Sequence, residues 1–278
     1  MKPFRFGANV YRAGSQAEWV DKARKLEDLG YSALTVADHL ADLLSPMPAL
    51  AVVAAATTRL RTGTTVLNND LRHPVLLAPE AATIDVLSDG RLQLGLGAGH
   101  MKAEYDAAGL PFEPAATRVE RLAEAVTIIK RLFTGEPLTF TGRHYRVIGH
   151  TIYPLPVQRP HPPIVIGGNA PRVLTLAARE ADIVGLTGIT FKRGGAESDV
   201  TDFKAAVVDQ CVELVRQAAG DRSERLELSA LVLRVVVTND RVHAAEELSR
   251  RWTALNPEDI LQSPYALMGP SLVREYML

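Results

Sequence analysis

Cysteine is almost absent from this chain of 278 residues: Cys211 stands alone, so no disulfide can close within it, and no Cys/His cluster has the spacing of a zinc site. That usage suits a reducing compartment, and a cytoplasmic protein is expected. An excess of one charge is missing as well. The 31 basic and 32 acidic side chains leave a net charge of −1, which gives no long-range field to gather nucleic acid or an anionic membrane. Partners must be recognised by local contacts, and small molecules are expected. Long apolar runs are also lacking: the longest, Pro46 to Ala56, falls well short of the ~18 residues a membrane span needs. The first ten residues have no apolar stretch of the kind a signal peptide carries, so neither export nor membrane insertion is expected. Nor does the chain hold a Gly-x-Ser-x-Gly elbow, a Walker loop or a His-Glu-x-x-His pair.

What is present is an alternation of strand-like and helix-like segments from end to end, the pattern of a parallel sheet built from βα units. Strands are expected at Phe4–Val10, Ala33–Ala37, Leu60–Leu67, Arg91–Gly97, Ile164–Gly167, Ile183–Leu186 and Leu228–Val237. Between them, Ser15 and Glu18 have capping-box spacing ahead of a helix that closes at Gly30, and Thr117 with Glu120 repeats the spacing before a helix to Phe133. Another helix is expected over Asp202–Ala219. Long connections at Gly99–Ala116 and Thr187–Asp199, the latter with Lys192-Arg193-Gly194-Gly195, are candidate covers for a site. An irregular stretch from Gly135 to Pro163 carries five prolines between Pro154 and Pro163. No linker interrupts the chain, so a single domain over 1–278 is expected. It ends in what reads as a helix from near Pro270. Seven strands are one short of a closed eight-stranded barrel, so the eighth strand is missing: either the barrel is open or the chain is C-terminally incomplete.

In such a barrel the C-terminal strand ends form the working face. The second strand ends in Asp38-His39, an acid beside an imidazole that it could position for proton transfer; the plain alternative is a cap or a surface pair. The third ends in Asn68-Asn69-Asp70, followed by Arg72-His73, which is equally a turn with a helix cap. The fourth ends in Gly95-Leu96-Gly97-Ala98-Gly99-His100, where missing side chains allow a planar ligand to approach. The fifth ends in Gly167-Gly168-Asn169-Ala170-Pro171 and enters a helix, whose free N–H groups suit a phosphate; Asn169 as helix cap is the alternative. No strand end supplies a lysine for Schiff-base chemistry, so a cofactor is left to carry the difficult step.

Several segments in this order resemble the bacterial-luciferase-like monooxygenase superfamily, in particular its deazaflavin (coenzyme F420) oxidoreductases. They are Ala33 to His39, Arg61 to Val66, His73-Pro74 with Ala81 to Asp85, Ser88-Asp89-Gly90-Arg91, Gly95 to Gly99, and Pro154 to Gln158 leading to Pro163–Gly168. The resemblance implies a TIM barrel holding a flavin or deazaflavin over its strand ends. It implies that Asp38 and His39 lie near the reactive ring, with His39 as acid or base tuned by Asp38. Gly167, Gly168 and Asn169 would lie at the phosphate. A bulge with a cis non-proline peptide would lie near Thr65-Val66-Leu67, and Gly97, Ala98, Gly99 and Thr187 would contact the cofactor. Many relatives have Trp where this chain has His100. The implied activity is F420-dependent hydride transfer to or from a small organic substrate, in a homodimer. An FMN-dependent monooxygenase and a flavin-binding protein without turnover are the alternatives.

Overall fold

The structure is a computed structural model that describes residues 4–192 and 197–270, with the backbone alone for 190–192 and 197–199. The chain forms two compact units: one runs to Gly99 and resumes from Glu104 to Val165, and the other takes His100–Ala103 and everything from Ile166 onward. Up to Val165 the elements are β1 (Gly7–Asn9), α1 (Gln16–Asp28), β2 (Ala33–Val36), α2 (Pro46–Ala56), β3 (Arg61–Thr64), β4 (Leu67–Asn68), α3 (Pro74–Leu87), β5 (Leu92–Gly97), α4 (Lys102–Ala108), α5 (Ala115–Leu132), β6 (Leu138–Thr141) and β7 (Arg146–His150). Strands β1, β2, β3 and β5 lie side by side in that order and are all parallel, with Gly7 opposite Ala33, Ala33 opposite Arg61 and Thr62 opposite Leu92. Strand β4 continues alongside β5, Leu67 opposite Leu96.

Local chemistry explains these elements. Ser15 Oγ accepts the Glu18 N–H at 3.2 Å to start α1, and Gly30, at φ +80°, turns the chain out of it. The helix buries Trp19, whose indole N–H donates to the Ala49 carbonyl at 2.9 Å. Leu34, Leu92, Leu94 and Leu96 of the sheet are fully buried, as are Leu77, Leu122, Val126 and Ile129 of α3 and α5, each contributing about 1.5–3 kcal/mol by leaving water.

Buried polar groups fasten the connections. Asp85, fully buried in α3, accepts the N–H groups of Val157 at 2.7 Å and Gln158 at 3.0 Å, and the Gln158 amide at 2.7 Å. Arg91 donates to the carbonyls of Ser88, Leu60, Ala54 and Thr57 and to the Thr57 hydroxyl, tying α2 and α3 to the strands that follow them. Glu27 takes the N–H groups of Thr58, Arg59 and Leu60, and Glu124 those of Arg143, His144 and Tyr145. Burial opposes ionisation of both glutamates, but the backbone donors outweigh it and hold each carboxyl below its ordinary value.

From Ile164 the elements are β8 (Ile164–Gly168), α6 (Pro171–Glu180), β9 (Ile183–Leu186), β10 (Thr190–Lys192), β11 (Glu197–Asp199), α7 (Ala205–Ala219), β12 (Glu227–Ala230), β13 (Arg234–Val237), α8 (Arg241–Ser249), α9 (Pro257–Gln262) and β14 (Ala266–Gly269). Strand β12 is parallel to β9, and β13 and β14 form their own parallel pair. Phe203, Ala245, Leu248, Leu255, Ile260, Tyr265 and Ala266 make a separate apolar core in this unit.

Several expectations are corrected. The strand expected over Leu60–Leu67 is divided into β3 and β4 at Thr65-Val66, a cis peptide at the place the resemblance implied. The strand expected over Leu228–Val237 is two: Leu231 N–H still bonds the Leu186 carbonyl, but Leu233 and Arg234 turn to the Tyr265 carbonyl, so the chain changes partner within one strand-like run. Thr117 caps nothing, because α5 begins at Ala115 after Pro114. Glu18 bonds the Gly14 N–H at 2.7 Å, so it does not close a box on Ser15. Helix α7 begins at Ala205, after a 3-10 turn at Thr201–Phe203. The Gly135–Pro163 stretch holds the β6–β7 hairpin, and Thr187–Asp199 holds the antiparallel pair β10–β11. Strand β14 was not expected at all; the helix expected from Pro270 and the residues Arg193-Gly194-Gly195 lie outside the described residues.

Asp85→Ala takes the acceptor from the Val157 and Gln158 N–H groups and is expected to cost ~1–3 kcal/mol in urea unfolding, whereas an unchanged unfolding midpoint would show the Gln158 segment to be held otherwise. Because the Glu124 carboxyl is depressed in the fold, its contribution is present above the ordinary carboxylate value and fades as pH falls through the lower folded value. Stability curves of the parent and Glu124→Gln should therefore differ at pH 7 and draw together as pH falls below the ordinary carboxylate value of about 4.3. A constant gap down to pH 3 would count against it.

Candidate active site

Strand β2 delivers Asp38 and His39 to its C-terminal end. Asp38 is buried, and its Oδ2 accepts the Asn68 N–H at 2.9 Å together with the Arg72 guanidinium, while Oδ1 accepts Arg72 Nη2 at 3.1 Å. This fork between Arg72 and Asp38 ties the tip of β2 to β4 and the turn after it. The expectation that Asp38 tunes His39 is corrected. His39 Nδ1 lies 2.9 Å from Glu104 Oε1 in α4, so Glu104 is the carboxylate on that ring nitrogen. The reason is geometric: successive side chains at a strand end diverge, and neighbours in sequence need not share a partner.

A second cluster forms where β4 ends. The Tyr105 hydroxyl sits 3.0 Å from both Asn68 Oδ1 and Asp70 Oδ2. Burial pushes its pKa up to about 12, with the Asp70 charge adding to the rise and the Asn68 hydrogen bond opposing it. Asp70 also binds Arg121 Nη1 at 2.8 Å, and Arg121 pairs with Glu113 through its other arm. Arg118 lies 4.0 Å over the Phe112 ring and donates to the carbonyls of Ala98 at 3.2 Å and Gly99 at 3.4 Å. Gly99 has φ +75°, and a Cβ there would lie 2.0 Å from the Tyr105 hydroxyl, so this glycine is demanded by the protein's own packing. Gly97 and Leu67 are buried, and Thr65, Val66 and Ala98 are half-buried.

In the second unit, Gly167, Gly168 and Asn169 lead from β8 towards α6. Asn169 is not the helix cap. Its amide donates to Asp202 Oδ2 at 2.8 Å, with Cys211 Sγ 4.0 Å from its oxygen, and the N-cap is Ala170, which has no side-chain acceptor for the first turn. Burial, with the Asp202 charge, pushes the Cys211 thiol up. A Cβ on Gly168 would lie 2.1 Å from Val173 Cγ1, so helix packing alone excludes a side chain there. Thr187 is half-buried, next to Gly188 at φ +65°. The side chains of Lys192 and Arg193 lie outside the described residues. Among the described residues no group of three or more His, Cys, Asp or Glu is arranged to hold a metal ion.

Glu104, Arg118 and Arg121 were not expected as site residues. One signal was available. Arg118 lies in the first turn of α5, where the helix dipole disfavours a cation, so partners elsewhere must hold it.

Parallel strands with intervening helices, and ionisable groups collected at the ends of β2 and β4, define a protein of the α/β-barrel class. More narrowly, the chain belongs to the luciferase-like monooxygenase family, whose sequence profile matches residues 1–268. It is 33% identical over 265 residues to the F420-dependent glucose-6-phosphate dehydrogenase of Nakamurella multipartita, which covers 91% of this chain and 73% of that protein. It is 36% identical over 192 residues to the protein of the same name from Microbacterium testaceum, covering 65% and 55%. Among solved structures, the coenzyme F420 dependent tetrahydromethanopterin reductase of Methanopyrus kandleri superposes with TM-score 0.72 at 22% identity, over 88% of this chain and 70% of that one. An F420-dependent secondary alcohol dehydrogenase, solved with an F420-acetone adduct, gives TM-score 0.73 at 18% identity over 99% and 87%. The fold is therefore that of the luciferase-like TIM-barrel class. Among the described residues no helix is long and apolar enough to cross a membrane.

Because Val173 occupies the space beside Gly168, Gly168→Ala should destabilise the fold by ~1–3 kcal/mol even without ligand, and Val173→Ala should recover most of the loss in the double variant. Additive losses in thermal or urea unfolding would show that the glycine answers to something other than α6.

Proposed function

We propose that the chain is an F420-dependent oxidoreductase moving a hydride between the deazaflavin and a small organic molecule. The observation that carries this reading is His39 at the tip of β2, with Glu104 2.9 Å from its Nδ1, in a chain one-third identical to a protein named for F420. When bound, F420 supplies the hydride-carrying carbon of its ring. His39 moves the accompanying proton, and Glu104 fixes the orientation of the imidazole and balances its charge when protonated. Asp38, committed to Arg72 and the Asn68 N–H, holds the strand tip in place and is no proton donor. Thr65, Val66, Leu67, Gly97, Ala98, Gly99 and Thr187 are proposed as cofactor neighbours. Gly167, Gly168 and Asn169 are proposed to take the phosphate end, a fit supported by the first turn of α6, which has no side-chain cap on its N–H groups. A cytoplasmic homodimer belongs to the same reading.

Titration of the protein with F420 and with FMN, followed by absorbance, decides the cofactor; tight FMN binding with oxygen uptake would replace this reading by the monooxygenase one. Glucose 6-phosphate is the first hydride donor to try. His39→Asn should bind F420 as the parent does but lose roughly 10²–10⁴ in turnover, and Glu104→Gln about 10–10². Parental turnover in His39→Asn would make the histidine structural.

A further inference from the structure

We infer that Arg121 is the positioning residue of the His39–Glu104 pair, because it latches the Glu104–Glu113 segment to the end of β4 by holding Asp70 and Glu113 at once. The catalytic consequence rests on the F420 reading above; the latch itself does not.

The guanidinium of Arg121 reaches from α5 to two carboxylates that are far apart in sequence. One is Asp70, whose side chain is only 4% exposed, and the other is Glu113 at the far end of the segment. The two oxygens of Asp70 divide their work: Oδ1 receives Arg121, and Oδ2 lies 3.0 Å from the hydroxyl of Tyr105. Thus the buried ring in the middle of the segment and the ion pair at its end converge on a single carboxylate. Tyr105 follows Glu104 directly, so fixing that ring fixes the backbone from which the Glu104 carboxylate reaches to 2.9 Å from His39. Only a planar fork with two donor arms can serve both acids in this way, and a lysine ammonium on its flexible stem is a poor substitute.

The test uses the full chain without cofactor. Glu113→Gln is the gentle variant, since its side chain is 38% exposed, and it carries the test if Arg121→Met, which leaves Asp70 buried, fails to fold. In hydrogen-exchange mass spectrometry, amides within 104–113 should exchange about tenfold faster in either variant, with β5 and α5 unchanged. Diethyl pyrocarbonate should modify His39 severalfold faster in Arg121→Met, in Glu113→Gln and in Glu104→Gln. The double variant Glu104→Gln/Glu113→Gln should be no faster than Glu104→Gln alone, and Arg121→Lys should recover part of the protection. Unchanged exchange across 104–113, or additive acceleration in the double variant, overturns the inference. With F420 and glucose 6-phosphate, kcat should fall in Glu113→Gln while the F420 dissociation constant holds; released exchange with parental kcat overturns the positioning role. A parent that binds neither F420 nor FMN defeats the functional reading, and the latch then stands or falls on exchange and His39 modification.

Discussion

The buried carboxylate of Asp38 is the interaction on which the strand ends of the first unit depend. A charge removed from water is tolerable only when its acceptor sites are filled, and here a guanidinium fork and a backbone N–H fill them. In doing so they bind β2 to the segment that follows the division between β3 and β4. Asn68, whose N–H is one of the donors, presents its side-chain oxygen to Tyr105, and Tyr105 leads through Asp70 to Arg121 on α5. One connected polar network thus spans β2, β4, α4 and α5. Each member is satisfied by the next, which is the condition under which such a network rigidifies a site instead of weakening it.

The motifs that relate this chain to its family are largely scaffolding. Asp85 and Gln158 meet to secure a proline-rich connection to α3, and Arg91 spends its donors on carbonyls and a hydroxyl at the ends of α2 and α3. Gly99 and Gly168 are bare because Tyr105 and Val173 occupy the space a side chain would need. Close packing and the cost of leaving a buried polar group unpaired account for these residues without reference to any ligand. What remains for the proposed chemistry is a short set headed by His39 on its strand tip and Glu104, 2.9 Å from it. Such a division suits a fold that hosts different substrates by changing its loops while keeping its strand ends.

The second unit is built differently. Its apolar core gathers Phe203 and Tyr265 with α8, α9 and β14, and the ring contact of Phe203 with Trp252 at 5.0 Å adds an edge-to-face packing typical of buried aromatic pairs. Gly188 lies against these rings, with a Cβ position 2.5 Å from Tyr265, so the start of the connection after β9 is set by this core. Burial pushes the Tyr265 hydroxyl far up, with the nearby Cys211 and Asp202 charges adding to the rise, which keeps that ring neutral and apolar in behaviour.

By itself the sequence determined the parallel α/β class, the positions of most strands and helices, and the Ser15 cap with its Gly30 exit. These follow from period and local turn chemistry, which are written in neighbouring residues. The resemblance carried by its motifs also located the cis peptide at Thr65-Val66. Only the tertiary structure decided that Asp38 belongs to Arg72 and His39 to Glu104, that Asn169 turns to Asp202 and leaves the cap of α6 to Ala170, and that one strand-like run splits into β12 and β13. In each case the deciding partner lies tens of residues away, and a carboxylate or amide accepts any suitable donor that folding brings within about 3 Å. Sequence spacing records which groups are available, whereas the burial that compels them to pair, and with whom, exists only once the chain is folded.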